Sequence, residues 1–157
     1  MYRIGHGYDV HCFTPGKPLM LGGIRIPHTE GMKAHSDGDV VIHALCDSLL
    51  GAAGLGDIGH LFPDTDASNK DKDSKLFLDA VMDLLDRGQY KIANTDITII
   101  AEHPRIGPHS QEMKVVLAEI MGINPTQVNI KASTREGLGA IGAGLGIEVH
   151  AVSLIYS

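Results

Sequence analysis

The sequence has few cysteines and no long hydrophobic run. Cys12 and Cys46 are the only two cysteines among 157 residues, and neither belongs to a C-x-x-C pair. A thiolate zinc site is therefore not expected, and a reducing compartment is the default. No apolar run reaches the length of a transmembrane helix, and the chain starts directly in strand-like sequence without a signal peptide. We therefore expect a cytoplasmic protein that does not enter a membrane.

The chain is also short of positive charge, with 13 lysines and arginines against 19 acidic residues and a formal net charge of −6. This balance argues against nucleic acid as a partner. Any bound phosphates must then be held by metal ions, backbone N–H groups and a few placed cations. A hydrophobic content of 43% and this length predict one globular domain over residues 1–157, with a core that needs no disulfide.

The order of the predicted elements indicates an α/β or α+β sandwich, with a single mixed β-sheet and one layer of helices. Strands are predicted from β-branched and alternating runs, and helices from apolar residues at spacings of three and four. The predicted strands cover residues 2–13, 19–27, 95–101, 128–132 and 147–156. The predicted helices cover 40–53, from 73 or 74 to 88, and 109–121.

Three candidate metal ligands lie near the start of the chain. Asp9 and His11 are alternate residues of the first predicted strand, so their side chains point to one face, with Cα atoms roughly 6.6 Å apart. His43 lies off the apolar stripe of the first helix, which follows the N-cap residues in 36–39. Three N/O ligands with room for a fourth describe a catalytic zinc centre better than a structural one. A solvated polar face is the alternative for His43, and Asp47, four residues on, is a candidate to orient its ring.

Other chemistry-bearing residues lie in predicted loops. The polar segment 54–72 is long for a compact domain, and loops of this length are usually functional or mobile. The loop 102–108 carries one cation, Arg105. The run Ser133-Thr134-Arg135-Glu136 leads into the glycine-rich segment 137–146. Taken alone, this run is typical of a helix cap, with Ser or Thr three residues before Glu.

Five stretches of this chain form a more specific signal when taken in order. They are Arg3-Ile4-Gly5-His6-Gly7-Tyr8-Asp9-Val10-His11, Ala34-His35-Ser36-Asp37-Gly38-Asp39, Leu55-Gly56-Asp57-Ile58-Gly59, Phe62-Pro63-Asp64-Thr65-Asp66 and Asn129-Ile130-Lys131-Ala132. With these stretches the chain resembles the 2-C-methyl-D-erythritol 2,4-cyclodiphosphate synthase family. The resemblance runs almost end to end, and several spaced motifs in order are far more specific than any one of them. It implies a phosphorus–oxygen lyase of the non-mevalonate isoprenoid pathway. It also implies a homotrimer with active sites between adjacent subunits.

The resemblance implies the reaction as well. The 2-phosphate of 4-diphosphocytidyl-2-C-methyl-D-erythritol 2-phosphate attacks the β-phosphorus of the diphosphate, closes a cyclic diphosphate and expels CMP. Because two anionic groups meet, catalysis needs positioning and charge neutralisation more than a strong base. One zinc ion per subunit, held by Asp9, His11 and His43, would act as a Lewis acid. A second divalent ion, Mg²⁺ or Mn²⁺, would bridge the diphosphate near Glu136.

The matching residues take their expected roles from the same resemblance. His35 and Thr134 are expected to be catalytic. The expected substrate contacts are Asp9, His11, His35, Ser36, Asp57, Ile58, Gly59, Phe62, Asp64, Asp66, Ala101, Arg105, Ile106, Gly107, Ser133, Thr134 and Glu136. Among them, Asp57 and Gly59 would meet the ribose, Asp64 the methylerythritol hydroxyls, and the segment 101–107 the cytosine, with Arg105 directed to the diphosphate.

The sequence departs from the family pattern in two places. Arg105 stands where lysine is usual, which keeps the charge but not its point-like geometry. Ala140, Ala143 and Leu145 stand where many members carry Phe, Arg and Glu. In the family that arginine lines a cavity on the trimer axis where isoprenoid diphosphates bind, so we expect weak or no diphosphate binding there in this chain.

Two other classes of function remain alternatives. A zinc phosphodiesterase or pyrophosphatase would use water as the nucleophile, but the sequence has no histidine-rich cluster beyond the single metal set to activate it. A non-catalytic nucleotide-binding trimer is disfavoured by the intact set Asp9, His11, His43, Thr134 and Glu136. The products distinguish the three hypotheses.

Overall fold

The computed structural model of the chain describes residues 1–63 and 72–157, so the expected contacts Asp64 and Asp66 lie outside the described residues. The strands in these two ranges are β1 (Tyr2–Pro15), β2 (Leu19–Leu21), β3 (Ile24–Ile26), β4 (Glu30–Met32), β5 (Lys91–Ile100), β6 (Val128–Ser133) and β7 (Gly146–Tyr156). The helices are α1 (Val40–Ala53), α2 (Ile58–Leu61), α3 (Lys75–Arg87), α4 (Ser110–Met121) and α5 (Gly139–Gly142).

The main sheet is mixed, as predicted, with the strand order β4-β1-β7-β5-β6. Only β5 and β6 pair in parallel, and the other neighbours are antiparallel. Strands β2 and β3 form a separate two-stranded sheet, which the prediction of a single sheet did not include. The two residues between them, Gly22 and Gly23, both have positive φ, which suits the tight turn of a two-residue hairpin.

Helix α1 packs on β1 and β7, and α3 packs against α1 and α4. Helix α1 has the predicted bounds because the Asp39 side chain caps it and Gly54, in a left-handed conformation, ends it. Its apolar residues are buried on nearly all sides, and the more accessible line along the helix is His43, Asp47 and Gly51. The predicted separation of His43 from the apolar stripe is thus confirmed.

Glycines in β1 let α1 approach the sheet unusually closely. A Cβ built on Gly5 would lie 1.9 Å from the Ser48 carbonyl oxygen, and one on Gly7 would lie 1.8 Å from the Ala44 carbonyl oxygen. Both glycines are buried, on the same face of β1 as Asp9 and His11. The close contact therefore holds α1 against the face that carries two of the candidate ligands.

Smaller differences from the sequence predictions concern element bounds. Strand β5 begins at Lys91 rather than Thr95, and α4 begins at Ser110 after a short 3₁₀ turn. The predicted loop 54–72 contains helix α2. The predicted inward residues of β7 are confirmed, since Ile147, Val149, Ala151 and Ile155 are fully buried.

The face of the sheet opposite α1 exposes large apolar side chains. They are Tyr2, Ile4, Tyr8 and Val10 on β1, and Val152 and Tyr156 on β7, with exposed fractions from 37% to 72%. His6 and His150 lie among them on the same face. Exposed apolar side chains grouped in this way often mark an interaction site. Among the helices in the described ranges, none has the length and apolar character required to cross a membrane.

Candidate metal and nucleotide site

Asp9, His11 and His43 converge on one point, as the sequence predicts. Asp9 Oδ2 lies 3.1 Å from His11 Nε2 and 3.0 Å from His43 Nδ1, and the two nitrogens are 3.4 Å apart. The other oxygen of Asp9 accepts a hydrogen bond from the Val10 N–H at 2.9 Å, which fixes the orientation of the carboxylate. The three side chains are 13–22% exposed, so the cluster is largely shielded but open to a ligand.

The electrostatics of the cluster favour a cation. Burial raises the pKa of Asp9, but the hydrogen bonds and charges of His11 and His43 together outweigh it and hold that pKa below its usual range. Burial lowers the pKa of His43, whereas its hydrogen bond and charge interaction with Asp9 raise it, and the net direction is upward. Asp9 thus carries a negative charge that stabilises positive charge at the point between the three groups.

The donor set fits a zinc ion. One carboxylate oxygen and two imidazole nitrogens are typical zinc donors, with bonds of about 2.0–2.2 Å. A tetrahedral ion with such bonds needs ligand atoms about 3.3 Å apart, close to the observed 3.0–3.4 Å. These are the residues in the described ranges whose ligand atoms cluster closely enough for a metal.

A cleft of about 330 Å³ opens beside this cluster. Six of the residues expected to contact substrate line it, together with the candidate ligand His43. These six are His11, His35, Ser36, Ile58, Gly59 and Phe62. Lys33, Ala34 and Phe77 also line it and were not predicted. Asp57 stands next to this lining as the N-cap of α2, where its Oδ1 accepts the His60 N–H at 2.9 Å.

Asp47 does not make the contact with His43 that was predicted for it. Its Oδ1 accepts a hydrogen bond from the Ile58 N–H at 2.8 Å, so it anchors the start of α2 to α1. The Nε2 atom of His43 instead faces two hydroxyls, Ser74 Oγ at 3.0 Å and Ser36 Oγ at 3.3 Å. The prediction that Asp47 orients the His43 ring is therefore wrong, because the Asp47 carboxylate is hydrogen-bonded to the backbone of α2.

A second cleft, of about 590 Å³, lies where β5 and β6 end. Its lining includes all seven residues expected on that side: Ala101, Arg105, Ile106, Gly107, Ser133, Thr134 and Glu136. Arg105 is exposed, and no carboxylate in residues 1–63 and 72–157 forms an ion pair with it. This cleft thus offers a cation, hydroxyls and backbone groups to a ligand.

The Thr134 hydroxyl and the Glu136 carboxylate, both in the second cleft, are hydrogen-bonded to each other. Thr134 Oγ1 donates to Glu136 Oε1 at 2.8 Å and accepts from the Glu136 N–H at 3.2 Å. Glu136 has φ +51°, an uncommon conformation for a residue with a side chain. No helix begins here, since α5 starts at Gly139 with Leu138 at its N-cap. The helix-cap interpretation of 133–136 is therefore wrong.

The two clefts are lined by different residues of the chain. No residue in the described ranges lines both of them.

Sequence reasoning missed several residues of the two clefts. Near the first cleft they are Lys33, Asp37, Ser74 and Phe77. In the second cleft Glu102 was missed, and its carboxylate accepts the Arg135 N–H at 2.8 Å. Ser74 was recognisable only as a helix-cap residue, because nothing in the local sequence relates it to His43.

The chain matches the YgbB family over residues 2–156. Among curated proteins, it is similar to the 2-C-methyl-D-erythritol 2,4-cyclodiphosphate synthase of Thioalkalivibrio sulfidiphilus, with 54% identity over 155 residues that cover 99% of this chain and 97% of that protein. The synthase of the same name from Francisella philomiragia is 55% identical over 155 residues, which cover 98% of each chain.

Solved structures give the same result at the level of the fold. One is a 2C-methyl-D-erythritol-2,4-cyclodiphosphate synthase in its CDP-bound form, with a TM-score of 0.89, 38% identity, and coverage of 98% of this chain and 100% of that one. Another is IspF from Plasmodium falciparum in complex with CDP, with a TM-score of 0.87, 36% identity, and coverage of 98% and 95%.

Proposed function

The chain belongs to the YgbB family, and we infer from this that it is a 2-C-methyl-D-erythritol 2,4-cyclodiphosphate synthase of the non-mevalonate isoprenoid pathway. The whole chain, residues 1–157, would act as one synthase domain. The observation that carries this proposal is the convergence of Asp9, His11 and His43 within 3.0–3.4 Å, beside a cleft lined by residues expected to bind the substrate.

The reaction is an internal phosphoryl transfer. An oxygen of the substrate 2-phosphate bonds to the β-phosphorus of the diphosphate, and the bond from that phosphorus to the bridging oxygen breaks. The electron pair leaves with CMP, and the cyclic 2,4-diphosphate remains. Since no water is consumed, the enzyme is classed as a phosphorus–oxygen lyase. Holding the two phosphates in line and neutralising their charge are the main tasks of the protein.

Asp9, His11 and His43 would hold one zinc ion per subunit, which when bound supplies a Lewis acid for a diphosphate oxygen. Glu136 would contribute to a second divalent site, for Mg²⁺ or Mn²⁺. One protein carboxylate is typical of Mg²⁺ that is bound mainly through substrate phosphates and water.

The first cleft would bind the phosphate and sugar parts of the substrate. His35 is exposed at the mouth of the cleft and Ser36 is buried within it, so we assign both to the substrate phosphates, with His35 as a catalytic residue. The carboxylate of Asp57 is 61% exposed and is available to accept ribose hydroxyls, next to Ile58 and Gly59. Phe62 would close the apolar wall of this cleft.

The second cleft would bind the cytidine end and the leaving phosphate. Ala101, Ile106 and Gly107 would contact cytosine through backbone groups, and the exposed Arg105 would attract the diphosphate. Thr134 is the proposed catalytic hydroxyl, with Ser133 beside it. The hydrogen bond from Thr134 to Glu136 fixes the hydroxyl relative to the second metal site.

One complete site would need both clefts, and within the described part of one chain their linings have no residue in common. We therefore propose a homotrimer in which the first cleft of one copy meets the second cleft of its neighbour. The exposed apolar face formed by β1 and β7 supports such an assembly, because a surface of this kind needs a partner. In the proposed trimer this head-to-tail contact closes after three copies, which gives a ring with three equivalent sites.

The reaction is tested by supplying the diphosphocytidyl phosphate substrate with Mg²⁺ to the zinc-loaded protein and following the products by ³¹P NMR. Cyclic diphosphate with CMP is the expected outcome. A linear diphosphate or bisphosphate would show a hydrolase instead, and the absence of turnover would favour a binding protein. The variant His43→Ala should lose zinc and activity. The control His109→Ala removes an imidazole outside both linings and should keep both.

Subunit complementation tests whether each site is shared. His43→Ala disables the first cleft and Thr134→Ala the second, so each variant alone should be inactive. Co-expressed in equal amounts, they should recover about a quarter of the wild-type activity, because a quarter of the interfaces in a randomly mixed ring join two intact clefts. Recovery of no activity, with mixed trimers verified by mass spectrometry, would refute a shared site.

A further inference from the structure

The side of His43 that faces away from Asp9 is held by residues from two other segments. Its Nε2 lies 3.0 Å from Ser74 Oγ, and the Ser74 hydroxyl donates to Asp37 Oδ1. The Ser74 N–H also donates to the other oxygen of Asp37, at 3.0 Å. The Asp37 carboxylate therefore accepts hydrogen bonds from both the hydroxyl and the N–H of Ser74, and Ser74 in turn contacts the candidate metal ligand His43.

Ser74 is placed for this contact and not for capping its helix. It occupies the N-cap position of α3, yet its side chain makes no capping hydrogen bond, although serine at this position usually does. It is fully buried. The first turn of α3 also brings the ring of Phe77 to 6.0 Å from that of His43. Ser74 and Phe77, at the start of α3, thus pack against the side of the His43 ring that faces away from Asp9.

The direction of the hydrogen bonds selects one form of the imidazole. The Ser74 proton is committed to Asp37, so the serine oxygen offers a lone pair to His43. A neutral His43 then carries its proton on Nε2 and leaves Nδ1, which is 3.0 Å from Asp9, free to bind a cation. Metal-binding histidines commonly donate their other N–H to an acceptor that fixes this choice.

We propose that Ser74, held by Asp37, is a positioning residue that orients His43 and selects its metal-binding tautomer. This inference rests on the metal site proposed above. Asp37 directly follows the segment His35–Ser36, so the same carboxylate links the proposed phosphate-binding loop to the start of α3. Correct placement of the loop and of the ligand would therefore depend on one buried contact.

The test is the zinc affinity of purified variants, measured by competition with a chromogenic chelator. Ser74→Ala removes the nearer of the two hydroxyls that face the His43 Nε2 atom, since Ser74 Oγ lies at 3.0 Å and Ser36 Oγ at 3.3 Å. Asp37→Asn removes the charge that orients the serine proton. We expect zinc to bind about 10–100-fold more weakly to Ser74→Ala, and Ser74→Thr, which keeps the hydroxyl, to restore most of the affinity. Asp73→Asn is the matched control, because it removes a neighbouring carboxylate that accepts the Lys75 N–H and does not contact His43.

A second readout separates positioning from a general loss of structure. With Co²⁺ in place of zinc, the visible d–d absorption reports ligand geometry, and it should change in Ser74→Ala but not in Asp73→Asn. Zinc affinity of Ser74→Ala within twofold of wild type, with an unchanged Co²⁺ spectrum, would overturn the positioning role alone. A wild-type protein that binds no zinc would overturn the metal site and this inference together.

Discussion

The substitution Gly7→Ala tests whether the close packing of α1 on β1 positions the three ligands of the metal cluster. The new Cβ would lie 1.8 Å from the Ala44 carbonyl oxygen, whereas ordinary van der Waals contacts begin at 3.4 Å. Helix α1 or strand β1 must therefore move by about 1.6 Å, the difference between these two distances. Because the obstacle is backbone, no side-chain rotation can relieve the clash.

The displacement should weaken both stability and metal binding. Overpacking of a core typically costs about 1–3 kcal/mol. The clash of the new Cβ with the Ala44 backbone belongs at or above the upper end of that range, at about 3 kcal/mol. His43 precedes Ala44 directly, so it moves with the displaced turn. A shift of about 1.6 Å is half of the 3.0 Å that separates His43 Nδ1 from Asp9. Since misplacement of a functional group by about 1 Å can cost 10²-fold, zinc affinity should fall at least that much.

Urea unfolding and zinc competition on Gly7→Ala provide the measurements, with Gly51→Ala as the matched control. Gly51 lies in the same helix, is exposed, and has its nearest atom, the His6 carbonyl oxygen, 4.0 Å from a built Cβ. Alanine there should stabilise the protein by about 0.5–1 kcal/mol through helix propensity and leave zinc binding unchanged. Wild-type stability and zinc affinity in Gly7→Ala would show that the close approach does not position the cluster.

Two further predictions concern single carboxylates. Asp39→Ala should lower the free energy of unfolding by about 2–4 kcal/mol. The reason is that the Asp39 carboxylate accepts hydrogen bonds from four backbone N–H groups, those of Gly22, Gly23, Val41 and Ile42. A loss below about 1 kcal/mol, measured by urea unfolding, would contradict this account. Lys131→Met should raise the pKa of Asp96, measured by NMR titration, because the Lys131 hydrogen bond, opposed by partial burial, holds it below its usual range. A lowered pKa in the folded state means that the ion pair stabilises the protein above the unfolded pKa and loses this effect as the pH falls through the folded one. The Lys131 and Asp96 side chains are 40–52% exposed, so the variant and the wild type should differ in stability by less than about 1 kcal/mol at neutral pH. An unchanged Asp96 pKa in Lys131→Met would show that Lys131 does not lower the pKa of Asp96.

Local rules alone predict the three candidate metal ligands, whereas the roles of the other site residues come from the family resemblance. Strand alternation puts Asp9 and His11 on one face, and the N-cap Asp39 fixes the start of α1, so the position of His43 off its apolar stripe is predictable. The same rules misassign 133–136 as a helix cap and Asp47 as a partner of His43. Asp47 accepts the Ile58 N–H, eleven residues further along the chain, whereas Thr134 and Glu136 bond to each other without a helix beginning there.

The sequence by itself therefore determined which way Asp9, His11 and His43 face within their own strand or helix, because this depends on backbone periodicity. Most other site residues were expected only from the family resemblance. Tertiary structure decided what those side chains meet. His43 reaches Asp9 across 34 residues only because Gly5 and Gly7 admit α1 to the sheet, and Ser74 reaches His43 only because α3 packs beside α1. The grouping of the lining residues into two clefts has the same origin, since distances between elements depend on how the whole core packs and not on any one segment.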